Sequence, residues 1–331
     1  MYFLYSQTRK TVEMKKKVLV IGAGGQIGTE LVIELSRRFG KDSVIASDIK
    51  KEVPEALVDY NYLDINVLDG KRLEEVVTTE NVTEIYLLAA LLSATAEQNP
   101  SFAWELNMDG LFNVLNLAKD KKIEKVFWPS SIAVFGNSTP KEQTPQQTIM
   151  EPSTVYGISK QAGEQWCSYY HNKYGVDVRS IRYPGLISYT SLPGGGTTDY
   201  AVDIFYHAKK YGKYTSFLSE NTALPMMYMS DAIRATIELM EAESDKVKVR
   251  TSYNLAALSF TPKSLAAEIS KHINGFGIDY APDYRQEIAN SWPSSIDDTV
   301  AKEQWGWKSE FDLSKTVKEM LDNVDETKLK S

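Results

Sequence analysis

Lys17–Gly28 reads KVLVIGAGGQIG, a short β-branched run followed closely by glycines at 22, 24, 25 and 28. The apolar part has the composition of a strand buried on both faces. Gln26–Phe39 then places apolar side chains at Ile27, Leu31, Val32 and Leu35, a helical period. The intervening glycines permit a tight turn and close packing of helix on strand. A helix that opens this way offers free N–H groups and the positive end of its dipole to an anion. Ser43–Asp48 (SVIASD) is a second strand. Its closing acid stands where a carboxylate accepts both hydroxyls of a ribose. The stretch is therefore a dinucleotide turn, with Gly22, Gly25, Gln26, Ile27, Gly28 and Asp48 as candidate ligands. An acid at this place repels a 2′-phosphate, which favours NAD over NADP. Asp64 and Ile65, after Tyr60–Leu63, are candidates for the adenine ring.

Outward from this unit the alternation continues. A short amphipathic helix near Leu73–Val77 leads to a strand at Glu84–Ala89, with Leu88, Ala89 and Ala90 at its cofactor end. A helix over Phe102–Ala118, a strand over Lys125–Pro129, a helix over Val155–Tyr174 and a strand over Val176–Arg182 follow. Strands separated by helices are βαβ units, which build a parallel sheet covered on both faces. The expected fold class is α/β, a Rossmann-type doubly wound parallel sheet with a smaller C-terminal cap. After about residue 184 the alternation weakens, and the loop PGGGTTD at 193–199 precedes separated helices. The expected organisation is a disordered extension over 1–14, a nucleotide-binding domain over 15–184 and a substrate-binding cap over 185–331. Some cap segments are expected to return to the first domain.

Composition sets outer limits. The 331 residues carry 37 Lys+Arg against 44 Asp+Glu, a net charge of −7 without a basic block, which argues against nucleic acid. No apolar run reaches the ~20 residues of a membrane helix, so no membrane partner is expected. The lone thiol, Cys167, excludes an internal disulfide framework and points to a reducing, cytoplasmic setting. It has no histidine partner in context and reads as a packed side chain rather than a nucleophile. His171, His207 and His272 are too scattered for a metal centre, and none is expected.

The chemistry concentrates between 130 and 160. Tyr156 and Lys160 share one face of a helix. A phenol is a poor base at its ordinary pKa of about 10, and a neighbouring ammonium stabilises the phenolate. Ser131 closes a strand at the carboxyl edge of the sheet, where open α/β folds bind ligands. One hydroxyl can then orient a substrate alcohol while the other takes its proton. Gly22-x-x-Gly25-x-x-Gly28, Ser130-Ser131-x-x-Val134-Phe135-Gly136 and Tyr156-x-x-x-Lys160, in this order, resemble the extended short-chain dehydrogenase/reductase family. The resemblance runs from about Lys15 to Trp307. It implies Tyr156 as catalytic base, Lys160 as the group that lowers its pKa and binds the nicotinamide ribose, and Ser131 as the substrate-orienting hydroxyl. It also implies NAD as cofactor, with Tyr183, Leu186 and Ile187 along the nicotinamide. Asn107 matches an asparagine that supports the lysine through water; a helix-surface residue is its other reading. In the family, the helices equivalent to Phe102–Ala118 and Val155–Tyr174 form a four-helix interface, so a homodimer is expected.

Well-known members of the family act on nucleotide sugars and hold the diphosphate with cations. Here Arg182-Tyr183-Pro184-Gly185 lacks their asparagine, and Glu220–Ile233 contains no cation. Ser291-Trp292-Pro293-Ser294 stands where they carry Arg-Pro-Gly-Asp. Two missing charge-assisted contacts, each worth roughly 1.5–3 kcal/mol, argue against a diphosphate. The Gly194–Tyr200 loop instead gathers Thr197, Thr198 and Asp199, which suits a small zwitterion. Asp199 would face an ammonium, and Thr197 or Thr198 a carboxylate. That loop, Leu91-Leu92-Ser93-Ala94 and the 291–298 stretch together resemble the family's L-threonine 3-dehydrogenase subgroup. The resemblance implies NAD-dependent oxidation of the L-threonine β-hydroxyl to 2-amino-3-oxobutyrate. Ser93 and Thr197 would then meet the substrate carboxylate, with Trp292 closing the pocket. The alternatives are a nucleotide-sugar epimerase or dehydratase, and an NAD-binding regulator without turnover.

Overall fold

The computed structural model describes residues 16–91 and 93–329, the side chains of residues 93 and 94 excepted. The expectation of an extension over 1–14 and the role given to the Ser93 side chain lie outside the described residues.

The first half runs β1 (Val18–Ile21), α1 (Gln26–Phe39), β2 (Val44–Asp48), β3 (Asn61–Asp64), α2 (Gly70–Thr79), β4 (Glu84–Leu87), α3 (Ser93–Gln98), α4 (Pro100–Lys119), β5 (Lys125–Phe127), β6 (Ser130–Ser131), α5 (Val155–Tyr174) and β7 (Asp177–Arg179). Six of these strands form one parallel sheet, in the order β3-β2-β1-β4-β5-β7. The order reverses between β1 and β4, and ligands of such sheets bind outside the carboxyl ends of the strands at that point. The second half runs β8 (Ile181–Tyr183), β9 (Gly185–Ile187), α6 (Tyr200–Tyr211), β10 (Lys213–Ser216), β11 (Leu224–Tyr228), α7 (Met229–Glu241), β12 (Tyr253–Asn254), β13 (Leu258–Phe260), α8 (Pro262–Ile269), β14 (Gly277–Tyr280), α9 (Arg285–Ser291), α10 (Thr299–Trp305) and α11 (Leu313–Asn323).

Two cores sandwich the main sheet, which is why β1 at its centre is apolar and buried throughout. On one face Leu31 and Leu35 of α1 and Ile233 and Ile237 of α7 meet Val18, Val20 and Tyr86. On the other, Leu73 of α2, Leu111 of α4 and Cys167 of α5 meet Leu19, Ile21 and Ile85. The α/β doubly wound sheet expected from the sequence is present. A third core, around Tyr200, Phe205, Leu224, Phe260 and Leu265, lies in the C-terminal half.

One expected strand divides. The Val176–Arg182 run, read as continuous, splits: β7 joins the main sheet, while β8 pairs with β6 and β12 in a second ladder. The last bond of the first ladder runs from the Trp128 amide to the Arg179 carbonyl at 3.0 Å, and pairing resumes at Ser130. The resumed register sets Ser130 beside Arg182 and Ser131 beside Tyr183. β9 pairs with β11, and β11 with β13, in a third small sheet. Among the described residues no helix is long and apolar enough to cross a membrane.

Candidate active site

The glycine turn is shaped by close approach. Gly22 has φ +89°, and a Cβ there would lie 2.6 Å from the Ala89 nitrogen. Any side chain would force apart the exits of β1 and β4. The amides of Leu88 and Ala89 donate to the Ile21 carbonyl at 2.8 and 3.0 Å, which holds Ala89 and the partly exposed Ala90 beside the turn. The first α1 bond runs from Thr29 N–H to the Gly25 carbonyl at 3.0 Å. The N–H groups of Gln26, Ile27 and Gly28 precede it and have no partner within the helix. Gly25, the N-cap, has no side chain to occupy them. Asp48 Oδ2 accepts the Gly24 amide at 3.0 Å, which fixes the acid beside this cradle. Free amides, a helix dipole and a fixed carboxylate together fit a dinucleotide.

The adenine candidates separate. Asp64 is exposed and stands beside Asp48 in the register. Ile65 is buried in the core beneath α2, and its N–H donates to the Asp48 carbonyl at 2.9 Å. The Ile65 side chain therefore does not reach the cofactor edge, contrary to expectation. Hydrophobic alternation at the end of β3 turns it inward.

Tyr156, Lys160 and Ser131 come together as the motif spacing implies. α5 starts at Thr154, whose Oγ1 accepts the Gly157 amide at 3.1 Å. Gly157 then lets the helix press onto the segment after Ser131, since a Cβ there would lie 2.2 Å from the Ala133 carbonyl oxygen. The Ser131 side chain lies close enough to the Tyr156 phenol to act on its proton. Ser131 Oγ also accepts the Ala133 amide at 3.2 Å. Lys160 Nζ donates to the Pro129 carbonyl at 2.6 Å, the acceptor left free where the ladder breaks. It also lies 4.4 Å from the Trp128 ring centroid and 5.6 Å from that of Tyr156.

Burial pushes the Tyr156 phenol up to about 12, with the Ser131 hydroxyl acting against it. Burial brings Lys160 down to about 7, opposed by Cys167 and Glu164. The sequence reading expected the lysine charge to lower the phenol. The structure gives the opposite direction because desolvation dominates both groups and the ammonium is turned to the Pro129 carbonyl.

Asn107 is not a surface residue. It is buried in α4, where Oδ1 accepts the Leu91 amide at 2.9 Å and Nδ2 donates to Ser159 Oγ at 3.1 Å. It clips the β4 exit to α5 and touches the residue next to Lys160.

On the substrate side the structure redistributes several expectations. Tyr183 is buried against Phe127, and its hydroxyl bonds Thr236 of α7. Ile187 is buried in the C-terminal core. Neither offers a side chain to a nicotinamide; of that trio Leu186 alone keeps exposed surface. Asp199 does not stand open to an ammonium, because its Oδ2 accepts the Gly195 and Gly196 amides at 2.7 Å each. It shapes the glycine loop, and burial raises its carboxyl above the ordinary value. Thr198 packs on β9 through the space that Gly185 leaves free, and Thr197 is buried beside it. Trp292 bridges two clusters, the C-terminal core and a group formed by Ile132, Val134, Phe135 and Ile296 just after Ser131.

Two contacts near the site had no readable signal in the sequence. Lys141 Nζ donates to the Ser291 carbonyl at 2.6 Å and the Gly136 carbonyl at 3.0 Å, fastening the segment of Trp292 to the segment after Ser131. Glu30 of α1 accepts the hydroxyls of Ser188 at 2.6 Å and Thr190 at 2.8 Å, tying the cofactor helix to the start of the 193–199 loop.

The sheet and the turn are those of a doubly wound NAD-binding protein. Residues 18–256 match the NAD dependent epimerase/dehydratase family, and the chain belongs to that family. It is 47% identical over 313 residues to an uncharacterised epimerase/dehydratase of Staphylococcus haemolyticus, covering 94% of this chain and 98% of that one. A GalE-like L-threonine dehydrogenase from Cupriavidus necator, solved in its holo form, is 57% identical with a TM-score of 0.90, over 93% of this chain and 99% of that one. An L-threonine dehydrogenase from Clostridium difficile is 46% identical with a TM-score of 0.92, over 95% and 98%. The chain is accordingly an NAD-dependent oxidoreductase of the extended short-chain type.

Proposed function

We propose that this protein oxidises the β-hydroxyl of L-threonine with NAD+, giving 2-amino-3-oxobutyrate. The observation that carries the reading is the gathering of Ser131, Tyr156 and Lys160 at the carboxyl edge of the sheet, beside a cradle that fits a dinucleotide. Supporting it are the threonine-bearing loop on β9, the absence of a cation over 220–233, and relatives described as L-threonine dehydrogenases. Ser131 holds the substrate oxygen, and Tyr156 as phenolate takes its proton. In this reading the bound substrate draws Lys160 from the Pro129 carbonyl toward the phenolate, which its charge then stabilises. NAD+, which the 22–28 turn and Asp48 would hold, would supply the acceptor for the hydride leaving Cβ. Thr197 takes the substrate carboxylate. Trp292 closes the pocket and excludes water.

The same reading pairs two copies through α4 and α5, where Trp104 and Trp166 remain 44% and 39% exposed. Sedimentation analysis tests that pairing.

NADH absorbance decides the chemistry, measured with NAD+ and L-threonine beside D-threonine, L-allo-threonine and L-serine. Formation of NADH with L-threonine supports the proposal. No NADH with any amino acid would sink it, and interconversion of UDP-sugars would then be assayed.

A further inference from the structure

Behind Ser131 and Lys160 lies a buried ion pair that the chemistry above does not use. Glu164 is 0% exposed and follows Lys160 by about one turn of α5. Its two oxygens face Arg182 of β8, accepting from Nε at 2.9 Å and from Nη2 at 2.8 Å. Ser130 Oγ donates to the same carboxylate at 2.6 Å. Arg182 Nη1 in turn donates to Asn254 Oδ1 at 2.9 Å and to the Gln146 carbonyl at 3.0 Å. Asn254 Nδ2 continues to the carbonyls of Thr144 at 3.0 Å and Asp297 at 3.3 Å. Those residues flank the bridge between Thr144 and Ile296, close after Trp292. One connected network therefore joins the strand of Ser131, the helix of Tyr156 and Lys160, and the 291–298 segment beside them.

A buried pair of this kind adds little net stability over apolar residues of equal size. What it adds is direction, since bidentate charged hydrogen bonds hold two elements in one geometry. Ser130 and Ser131 are adjacent, so a shift of one moves the other. We propose that the Glu164–Arg182 pair, with Ser130, is a positioning device for the oxidation: it sets the Ser131–Tyr156 spacing and seats the 291–298 segment. The proposal rests on the assignment of those two hydroxyls as the groups that hold and deprotonate the alcohol. The polar groups facing Glu164 come from β6 (Ser130), β8 (Arg182) and its own helix, where Lys160 precedes it by about one turn.

The test uses Ser130→Ala, which removes one hydrogen bond, and Glu164→Gln, which removes the charge and keeps the shape. Because a misplacement of about 1 Å costs up to about 100-fold in rate, kcat with L-threonine is expected to fall about tenfold in the first and about 100-fold in the second, with KM for NAD+ changed by less than about twofold. In the Glu164→Gln background, Ser130→Ala should lower kcat no further, the mark of one coupled unit. Hydrogen exchange without substrate should quicken over 130–136 and 291–298 in both variants, and stay unchanged over 84–91. Wild-type kcat in the folded variants, or losses that simply add in the double variant, would overturn the proposal. If Glu164→Gln fails to fold, Ser130→Ala decides through its kcat and its exchange over 291–298. If the wild-type protein leaves L-threonine untouched, the functional reading fails alone, and unchanged exchange in Ser130→Ala would refute the positioning network separately.

Discussion

Asp48 Oδ2 accepts the Gly24 amide at 3.0 Å, so the acid that ends β2 is fastened to the turn that opens α1. Its other oxygen accepts the Lys50 amide at 3.3 Å, a longer contact. The orientation of the carboxylate is thus set by the backbone before any ligand arrives. Asp48→Ala is expected to raise KM for NAD+ at least tenfold, in line with about 1.5–3 kcal/mol for hydrogen bonds to a charged group. It should also admit NADP+, because the repulsion of a 2′-phosphate is gone. Steady-state kinetics with both cofactors measure this, and an unchanged preference would remove Asp48 from the ribose.

Tyr156→Phe retains the ring that covers Lys160 and removes only the hydroxyl. General-base contributions of about 10²–10⁴-fold set the expected fall in kcat. NAD+ affinity, followed by fluorescence titration, should change little, since the cradle lies on β1 and α1. Near wild-type turnover in this variant would move the base to another group.

The nucleotide half was legible because its signals are local. A β-branched run, a glycine turn and a helical period over 18–39 specify one βα unit without tertiary help, and α5 falls at Val155–Tyr174 as its pattern indicates. Expectations failed where the outcome depends on partners distant in sequence. The break in Val176–Arg182 accompanies the pairing of β8 with β6 and β12, and Tyr183 is turned inward to Thr236 on α7. Asp199 looked free because nothing in its sequence reveals that its own loop amides fold back onto it. Glu164 was within reach, standing one turn beyond Lys160 on the same helix. Its partner Arg182 lies 18 residues away on β8, and no local pattern pairs the two.

Lys141 holds two main-chain carbonyls on segments that flank the pocket. Burial lowers its ammonium from the ordinary value. Lys141→Met keeps the aliphatic stem and removes both hydrogen bonds, so the segment of Trp292 loosens without loss of packing. KM for L-threonine should rise about tenfold, the equivalent of roughly 1.5 kcal/mol in charged hydrogen bonds, while KM for NAD+ stays unchanged. An effect on both substrates alike would point to general destabilisation instead.

Lys160 gives stability a readable pH dependence. Its folded value is about 7 against an ordinary 10.5. Between those values the unfolded chain holds a proton that the folded chain has released, so this residue makes unfolding free energy rise with pH. Below about pH 7 both states are protonated, and the desolvation cost is present in full. Tyr156 acts in the opposite sense at higher pH. Its folded value of about 12 against 10 means that the unfolded chain loses the proton first, and stability falls above pH 10. Lys160→Met removes the first contribution and leaves the second. The melting temperature of the variant should therefore exceed that of the wild type by several degrees near pH 6, and the gap should close as pH approaches 10. Thermal denaturation of both proteins across that range measures it. A gap that does not vary with pH would mean that the lysine is charged and compensated in the folded state, with Pro129 and the two aromatic rings sufficing to hold an ammonium.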